Sequence, residues 1–410
     1  MQAPDTPSAC CGVIHFNVRR FIMGGEGKSG QSRYAEDGVN IPVGDALSAI
    51  AGNMCRESYG NSSFVEVTDL SQGIFRGPRG FTLKNLPERY LLTGSADGMG
   101  TRPIVFAASG NLTGCPNSLV AMTAMDITRY GGLPLILLNI LDVKSLGKDV
   151  SSESFRMFKE AFLALGELAS DHNYVVLDGE IAELSECIGS EDPSSPAQFN
   201  WCGVMLGVYY ESKMILGNTL KVGQKIIAFR DKVRDNGVSS IRKALKMNFG
   251  DKWYSNSEAA TAIEAACAPS ALYDRMFNCA NGWFDSAKIN DKVNIHLIAH
   301  LSGGAFKSKL GEDLLKPQGL SAVFSDLFQP AEIMQSCKDW RSMSHEEAYS
   351  TWNGGQGAVA VVDNSNVEYM LNLSGVYGIE AQVAGEIVPQ NDNFTVAIKS
   401  QFEGGGWIYY

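Results

Sequence analysis

The sequence predicts a mixed α/β chain folded in two lobes, and three observations carry that expectation. The chain has 410 residues and is 45% hydrophobic, enough for lobes with their own cores. Short apolar runs of strand length alternate with helical patterns in both halves. A Ser/Pro stretch, Ser190 to Pro196, reads as a surface loop in the first half, and no internal repeat of roughly 20 to 50 residues runs through the chain.

Residues 1–33 are Gly/Ser-rich and read as an N-terminal extension. They contain Gly24-Gly25-Glu26-Gly27-Lys28-Ser29, which imitates a Walker A loop but fails by position. That loop needs a glycine where Ile22 stands and a helix where the chain reads SGQSRYAEDG. The first lobe is expected over 34–212, with buried strands at Tyr90 to Gly94, Leu133 to Leu141, Tyr174 to Leu177 and Trp201 to Tyr210. After Ser151-Ser152-Glu153, the residues Phe155, Phe158, Phe162, Leu165 and Ala169 recur at helical spacing and predict one face packed on a sheet. The second lobe, 213–410, offers strands at Gln224 to Phe229, Ile295 to His300, Ala358 to Val362 and Ile379 to Gly385, and a helical segment at Ser257 to Ala266.

The net charge is -11 and the two signs are mixed along the chain, so no basic stripe marks a nucleic-acid partner. The nine cysteines form no C-x-x-C and no readable disulfide frame. No run approaches the roughly 18 apolar residues of a membrane span, and MQAPDTPSACCGVIHF lacks the pattern of a signal peptide. A cytoplasmic protein without a membrane partner is expected.

Chemistry concentrates in Thr93-Gly94-Ser95-Ala96-Asp97-Gly98-Met99-Gly100-Thr101-Arg102, which follows an apolar strand. Glycines let backbone N–H groups approach phosphate, Asp97 can hold magnesium and Arg102 can neutralise charge. Met125-Asp126 and Asp178-Gly179-Glu180-Ile181-Ala182-Glu183 also end apolar runs with carboxylates, the hard oxygen ligands that a magnesium-nucleotide site requires. Arg230, Lys232 and Arg234 form a basic cluster that could claim a substrate phosphate.

The order of these motifs resembles the aminoimidazole ribonucleotide synthetase family, the ring-closing phosphoribosylformylglycinamidine cyclo-ligases of purine biosynthesis. Tyr34 to Ile41 resembles the family's opening segment, Ala96 to Arg102 resembles T-D-G-V-G-T-K, Leu119 to Asp126 resembles L-V-A-M-C-V-N-D, and Gly179 to Glu183 is similar to G-E-T-A-E. In the second lobe Asn236-Gly237 with Ile241-Arg242-Lys243, Ala268-Pro269-Ser270 through Tyr273, Ala299-His300-Leu301-Ser302-Gly303-Gly304 and Asn353 to Gly357 match further motifs in family order.

The resemblance implies a two-lobed α/β (α+β) fold and a homodimer in which the first-lobe sheet contributes to the interface. It implies ATP held by the first lobes near that interface and a small ribonucleotide substrate toward the second lobe. By it, Asp97, Glu180 and His300 are catalytic candidates, and Asp97, Asp126 and Glu180 are Mg2+ candidates. Gly98, Gly100, Thr101, Arg102 and Asp126 form the ATP cradle, while Asn236, Gly237, Gly303 and Gly304 meet substrate. The reaction implied is ATP-dependent ring closure of formylglycinamidine ribonucleotide.

The departures fall on polar positions. Ala35 replaces a lysine, Met125 an asparagine, Asp178 a glycine, Asn139 an aspartate and Gly354 a cysteine. Arg102 stands for lysine, keeping the charge but not the geometry. Arg234-Asp235 stands for His-Ser, which removes a possible general acid or base, since arginine keeps its proton near neutral pH. These changes keep open a non-catalytic or repurposed relative that binds a nucleotide or a partner protein. Related enzymes such as selenophosphate synthetase, thiamine monophosphate kinase, the hydrogenase maturation factor and formylglycinamidine synthetase share the scaffold.

Overall fold

A computed structural model describes residues 38–70, 77–284, 293–301 and 304–410. The imitation Walker loop, Tyr34 to Asp37 and Gly303 lie outside the described residues.

In the first lobe, α1 (Ile41–Ser58) starts with proline in its first turn and buries Val43, Leu47, Ala51 and Met54 at helical spacing. A hairpin-like pair follows, β1 (Val65–Asp69) antiparallel to β2 (Arg79–Leu83). Then come β3 (Leu91–Gly98), α2 (Arg102–Ser109), α3 (Cys115–Thr128), β4 (Leu133–Val143), α4 (Glu153–His172), β5 (Val175–Glu183) and β6 (Phe199–Tyr209). Four of these strands make one sheet in the order β3-β6-β4-β5. The predicted α4 stripe is buried, and its Phe158 and Phe162 meet Phe199 and Trp201 of β6 edge-on, each with ring centroids 5.4 Å apart.

One face of that sheet is covered throughout, while the other is covered at one end, where Ile136 and Val208 are buried with Val65 and Trp283, and open over the rest. Side chains alternate along a strand, so Leu137, Leu141, Trp201 and Met205 point to the core shared with α1, α3 and α4. Leu92 and Ile140, of the other parity, are 73% and 50% exposed. A bare apolar surface on a β-sheet calls for a partner.

The second lobe opens with β7 (Lys225–Arg230), α5 (Val238–Phe249), α6 (Ala260–Ala266), α7 (Asp274–Ala280) and β8 (Ile295–His300). A π-helix spans Ala305–Leu315. The chain continues through β9 (Leu320–Phe324), α8 (Glu332–Trp340), α9 (His345–Thr351), β10 (Gln356–Val362), α10 (Val367–Val376), β11 (Ala381–Pro389), β12 (Val396–Lys399) and β13 (Trp407–Tyr409). Its seven-stranded sheet runs β13-β12-β9-β11-β7-β10-β8, antiparallel throughout except at β12 and β9. All seven residues of β10 are buried, as a strand covered on both faces requires.

The lobes are stitched by apolar and polar contacts. Val105 of α2 belongs to the second lobe's core, and Met125 of α3 packs with Tyr273 and Met276. Asn281 donates to the Gly131 carbonyl at 3.3 Å and Trp283 to the same carbonyl at 2.8 Å. Among the described residues no helix is long and apolar enough to cross a membrane, and the seven described cysteines are free.

Candidate active site between the lobes

The sequence places Asp97 in a turn after a strand, whereas the structure keeps it inside β3, paired with Gly203 of β6. Its carboxylate accepts from the Gly98 N–H at 2.7 Å. Asp126, one turn from the end of α3, lies on the same side: Ser95, two residues before Asp97 on β3, is 3.5 Å from the Asp126 carboxylate. Arg129 pairs with Asp126 at 3.5 Å. Half-burial pushes the Asp97 carboxyl above the ordinary carboxylate value, the Gly98 N–H holds it back, and the charges of Asp126 and Asp235 push it further up. Lys309 of the π-helix supplies the opposing positive charge from the second lobe.

Glycine serves here in two separate ways. A Cβ on Gly98 would stand 3.0 Å from the Cys202 sulfur, so that side chain would have to give by a few tenths of an ångström. Gly100 has φ +57° and nothing within 4 Å of a would-be Cβ, a left-handed corner beside open space. Thr101 follows, and its hydroxyl meets Ser239 of α5 at 3.0 Å, a contact between lobes.

Arg102 corrects the sequence reading. It is fully buried, and instead of facing phosphate it donates to Asp235 at 3.0 Å, to the Ser270 hydroxyl at 2.9 Å and to the Ala268 carbonyl. A guanidinium so engaged is a strut between lobes, because desolvation holds it to its counter-charge. Arg234 is likewise buried, paired with Asp231 and lying 5.8 Å over the Tyr273 ring, rather than exposed beside Arg230 and Lys232.

Glu180 is the second correction. Asp97 is on β3 at one edge of the first sheet and Glu180 on β5 at the other, and Glu180 pairs with Ile140, whose side chain faces the open side. Three strand spacings of about 4.8 Å put their backbones roughly 14 Å apart, with the side chains on opposite faces. The expected Mg2+ set of Asp97, Asp126 and Glu180 therefore does not assemble within one protomer. Among the described residues no three histidine, cysteine or carboxylate side chains make a metal cage.

His300 ends β8 and is 3% exposed, with no hydrogen-bond partner for Nε2 among the described residues. Burial pushes its imidazole well below the ordinary value, and the positive charges of Arg234, Lys309 and Arg129 push it the same way. It is a neutral imidazole at pH 7, not a charged one. Asn236 has a buried, unpartnered side-chain oxygen, while Gly237 has a packing reason of its own: at φ +84° a Cβ would sit 2.5 Å from the Thr351 oxygen and the Trp352 ring. Gly304, φ +72°, heads the π-helix with open space beside it.

Two participants escaped the sequence reading, Asp235 and Lys309. The signal for Asp235 was present, because lysine-to-arginine at 102 and serine-to-aspartate at 235 are complementary departures from the family pattern. Lys309 left no such signal, since only a π-helix turns it toward Asp97.

Comparison with known proteins agrees with this architecture. Residues 284–397 match the family described as AIR synthase related protein, C-terminal domain. The phosphoribosylformylglycinamidine cyclo-ligase of Staphylococcus epidermidis is 25% identical over 367 residues, 88% of this chain and 96% of that protein. Among solved structures, thiamine-monophosphate kinase from Stenotrophomonas maltophilia superposes with a TM-score of 0.55 at 11% identity, covering 85% of this chain and 96% of that one. Hydrogenase maturation protein HypE in complex with ATP gives 0.50 at 13% identity, covering 80% and 86%. The chain is thus similar to the AIR synthase related proteins over 284–397 and to phosphoribosylformylglycinamidine cyclo-ligases over most of its length, on the fold that thiamine-monophosphate kinase also shows.

Proposed function

We propose that the protein is an ATP- and Mg2+-dependent cyclo-ligase that closes the imidazole ring of formylglycinamidine ribonucleotide, working as a homodimer. The observation that carries this reading is the Asp97 and Asp126 pair, set beside the open corner at Gly100 and faced by Lys309 from the other lobe. The cyclo-ligase similarity over most of both chains supports the choice of substrate, and the ATP complex of HypE supports the nucleotide.

The donor set fits Mg2+. That ion is usually held by one or two carboxylates plus phosphate oxygens, and the crowded Asp97, Asp126 and Asp235 charges lack a cation beyond lysine and arginine. Asp97 and Asp126 would hold it, and when bound it neutralises charge on the phosphates. The residues of the chain then do three things: the Gly98 to Thr101 segment admits the phosphates, Lys309 balances their charge, and the lobes hold formyl oxygen and γ-phosphate together. In the reaction that oxygen takes the phosphoryl group from ATP, releasing ADP. The neighbouring nitrogen attacks the activated carbon, phosphate leaves with the oxygen, and the nitrogen loses a proton.

Purified protein given formylglycinamidine ribonucleotide, ATP and Mg2+ should release ADP and phosphate with the imidazole product; no turnover above background sinks the reading. A second reading, a relative that binds nucleotide without this chemistry, is favoured by the capture of Arg102 and Arg234 in internal ion pairs. Its mark is Mg-ATP binding with no turnover.

A further inference from the structure

The basic cluster of β7 divides once folded. Arg234 turns inward, while Arg230 and Lys232 line a cavity of about 1090 Å3 bounded by α2, α6 and the start of α8. Asp97, Asp126, Lys309 and His300 do not line it. The Arg102 strut stands behind its wall: the guanidinium lies 5.3 Å over the Phe106 ring and donates to the Ala268 carbonyl, both lining residues, while Arg102 itself is fully buried.

The charges on its walls carry the argument. Arg230 is paired with Glu380 at 2.9 Å, and Asp231 is consumed by Arg234 and by the N–H groups of Lys232 and Ala271. Lys232, Glu264 and Glu332 have no ion-pair or side-chain hydrogen-bond partner among the described residues. They come from three different elements, the end of β7, α6 and the first turn of α8. Phe106, Ile263 and Ile333, three buried apolar side chains, also line the cavity, so it offers apolar surface together with unpaired charges of both signs. Its volume, just above the roughly 300 to 1,000 Å3 of ordinary small-molecule pockets, leaves room for a nucleotide- or sugar-phosphate-sized molecule.

We propose that this cavity is a second small-molecule site, which takes a zwitterion of sugar-phosphate size with its anionic group on Lys232 and its ammonium or amidinium on Glu264 and Glu332. The apolar surface receives the body of the ligand. The site does not depend on the cyclo-ligase reading, because it shares no residue with the Asp97 site.

Three probes on one sugar separate the charges: glucosamine 6-phosphate carries both, glucose 6-phosphate only the anion, glucosamine only the cation. Titration calorimetry of the full chain should show glucosamine 6-phosphate binding about tenfold or more tightly than either single-charge probe, the gain of one charge-assisted contact. Lys232→Ala should remove that gain and leave glucosamine unchanged. Glu264→Gln with Glu332→Gln should bring glucosamine 6-phosphate down to glucose 6-phosphate. The Lys232 and Glu264/Glu332 variants change exposed side chains and should keep the wild-type melting curve. Asp97→Asn should bind the probes as wild type does. Equal or absent binding of the three probes, affinities unmoved in the Lys232 and Glu264/Glu332 variants, or loss of binding in Asp97→Asn would each overturn the proposal. A chain that binds the probes but fails to close the imidazole ring keeps this site and loses only the cyclo-ligase reading.

Discussion

Arg102 on the first lobe and Asp235 on the second form an ion pair at 3.0 Å with side chains 0% and 7% exposed. The same arginine also bonds Ser270 and Ala268, so one side chain fixes α2 against two segments of the second lobe. The worth of this pair can be measured.

Arg102→Met leaves Asp235 buried without its counter-charge and should cost about 3 kcal/mol or more in urea unfolding. Asp235→Leu should cost a similar amount, and the double variant less than the sum of the two, since it leaves no orphaned charge. Additive losses would mean that the two residues act separately.

A second interlobe pair responds to pH. His172 at the end of α4 meets the Asp274 carboxylate of α7 at 3.1 Å. Burial pulls the imidazole down, but the Asp274 charge and hydrogen bond outweigh it and raise the His172 value above 6.5. Burial pushes Asp274 up, and the His172 charge and hydrogen bond take it below 3.8. The raised histidine stabilises fully below pH 6.5 and loses that contribution as pH rises through its folded value. The depressed aspartate contributes above pH 3.8 and loses it as pH falls through its folded value. His172→Gln should therefore cost most near pH 5.5 and progressively less above pH 7. Urea midpoints across pH 5.5 to 9 check this, and a cost independent of pH removes the charged pair.

The open face of the first sheet gives the dimer test. Ile140, 50% exposed in the middle of that face, should lie inside a dimer interface, so Ile140→Lys should shift light scattering from twice 44.3 kDa to 44.3 kDa with circular dichroism unchanged. A wild type that scatters as a monomer at micromolar concentration sinks the dimer.

Gly237 separates packing from binding. With φ +84° and no room for a Cβ against Trp352, Gly237→Ala should destabilise by roughly 1 to 3 kcal/mol. Since Trp352 also donates to the Gly237 carbonyl at 3.1 Å, the loss should appear in the melting curve whether or not substrate is present. An unchanged melting temperature with weakened substrate binding would return Gly237 to the binding role.

What the sequence made legible was whatever local patterning decides. The stripe from Phe155 to Ala169 became the buried face of α4, and Ile295 to His300 became β8, because periodicity and burial coincide there. The run after Tyr174 was read as ending at Leu177, yet β5 continues to Glu183: Asp178, Gly179 and Glu180 are poor strand formers held extended by pairing with β4. Arg102 shows the deeper limit. Its position in a glycine-rich motif suggested phosphate, and only a carboxylate 133 residues away, brought beside it by the packing of two lobes, decided otherwise. The separation of Asp97 from Glu180 was equally hidden, since strand order is not written in either motif.

Asp97 offers a test with two readouts that should move in opposite directions. Its carboxyl is pushed up first by partial burial and then by Asp126 and Asp235, so ionised Asp97 disfavours the folded state. A group whose folded value is raised above 3.8 costs stability once pH exceeds that ordinary value, and the cost grows until pH passes the folded value. Asp97→Asn keeps the size, keeps an acceptor for the Gly98 N–H and removes the charge, so the free protein should melt at a higher temperature. The same change takes away a Mg2+ ligand, and Mg-ATP affinity should fall about tenfold to a hundredfold, the loss of one charge-assisted contact. Stability gained where affinity is lost is the signature of a residue kept for function. Melting curves and titration calorimetry with Mg-ATP on both proteins read the two quantities separately. If Asp97→Asn lowers the melting temperature and leaves affinity intact, Asp97 is a structural residue of β3 and the nucleotide site lies elsewhere.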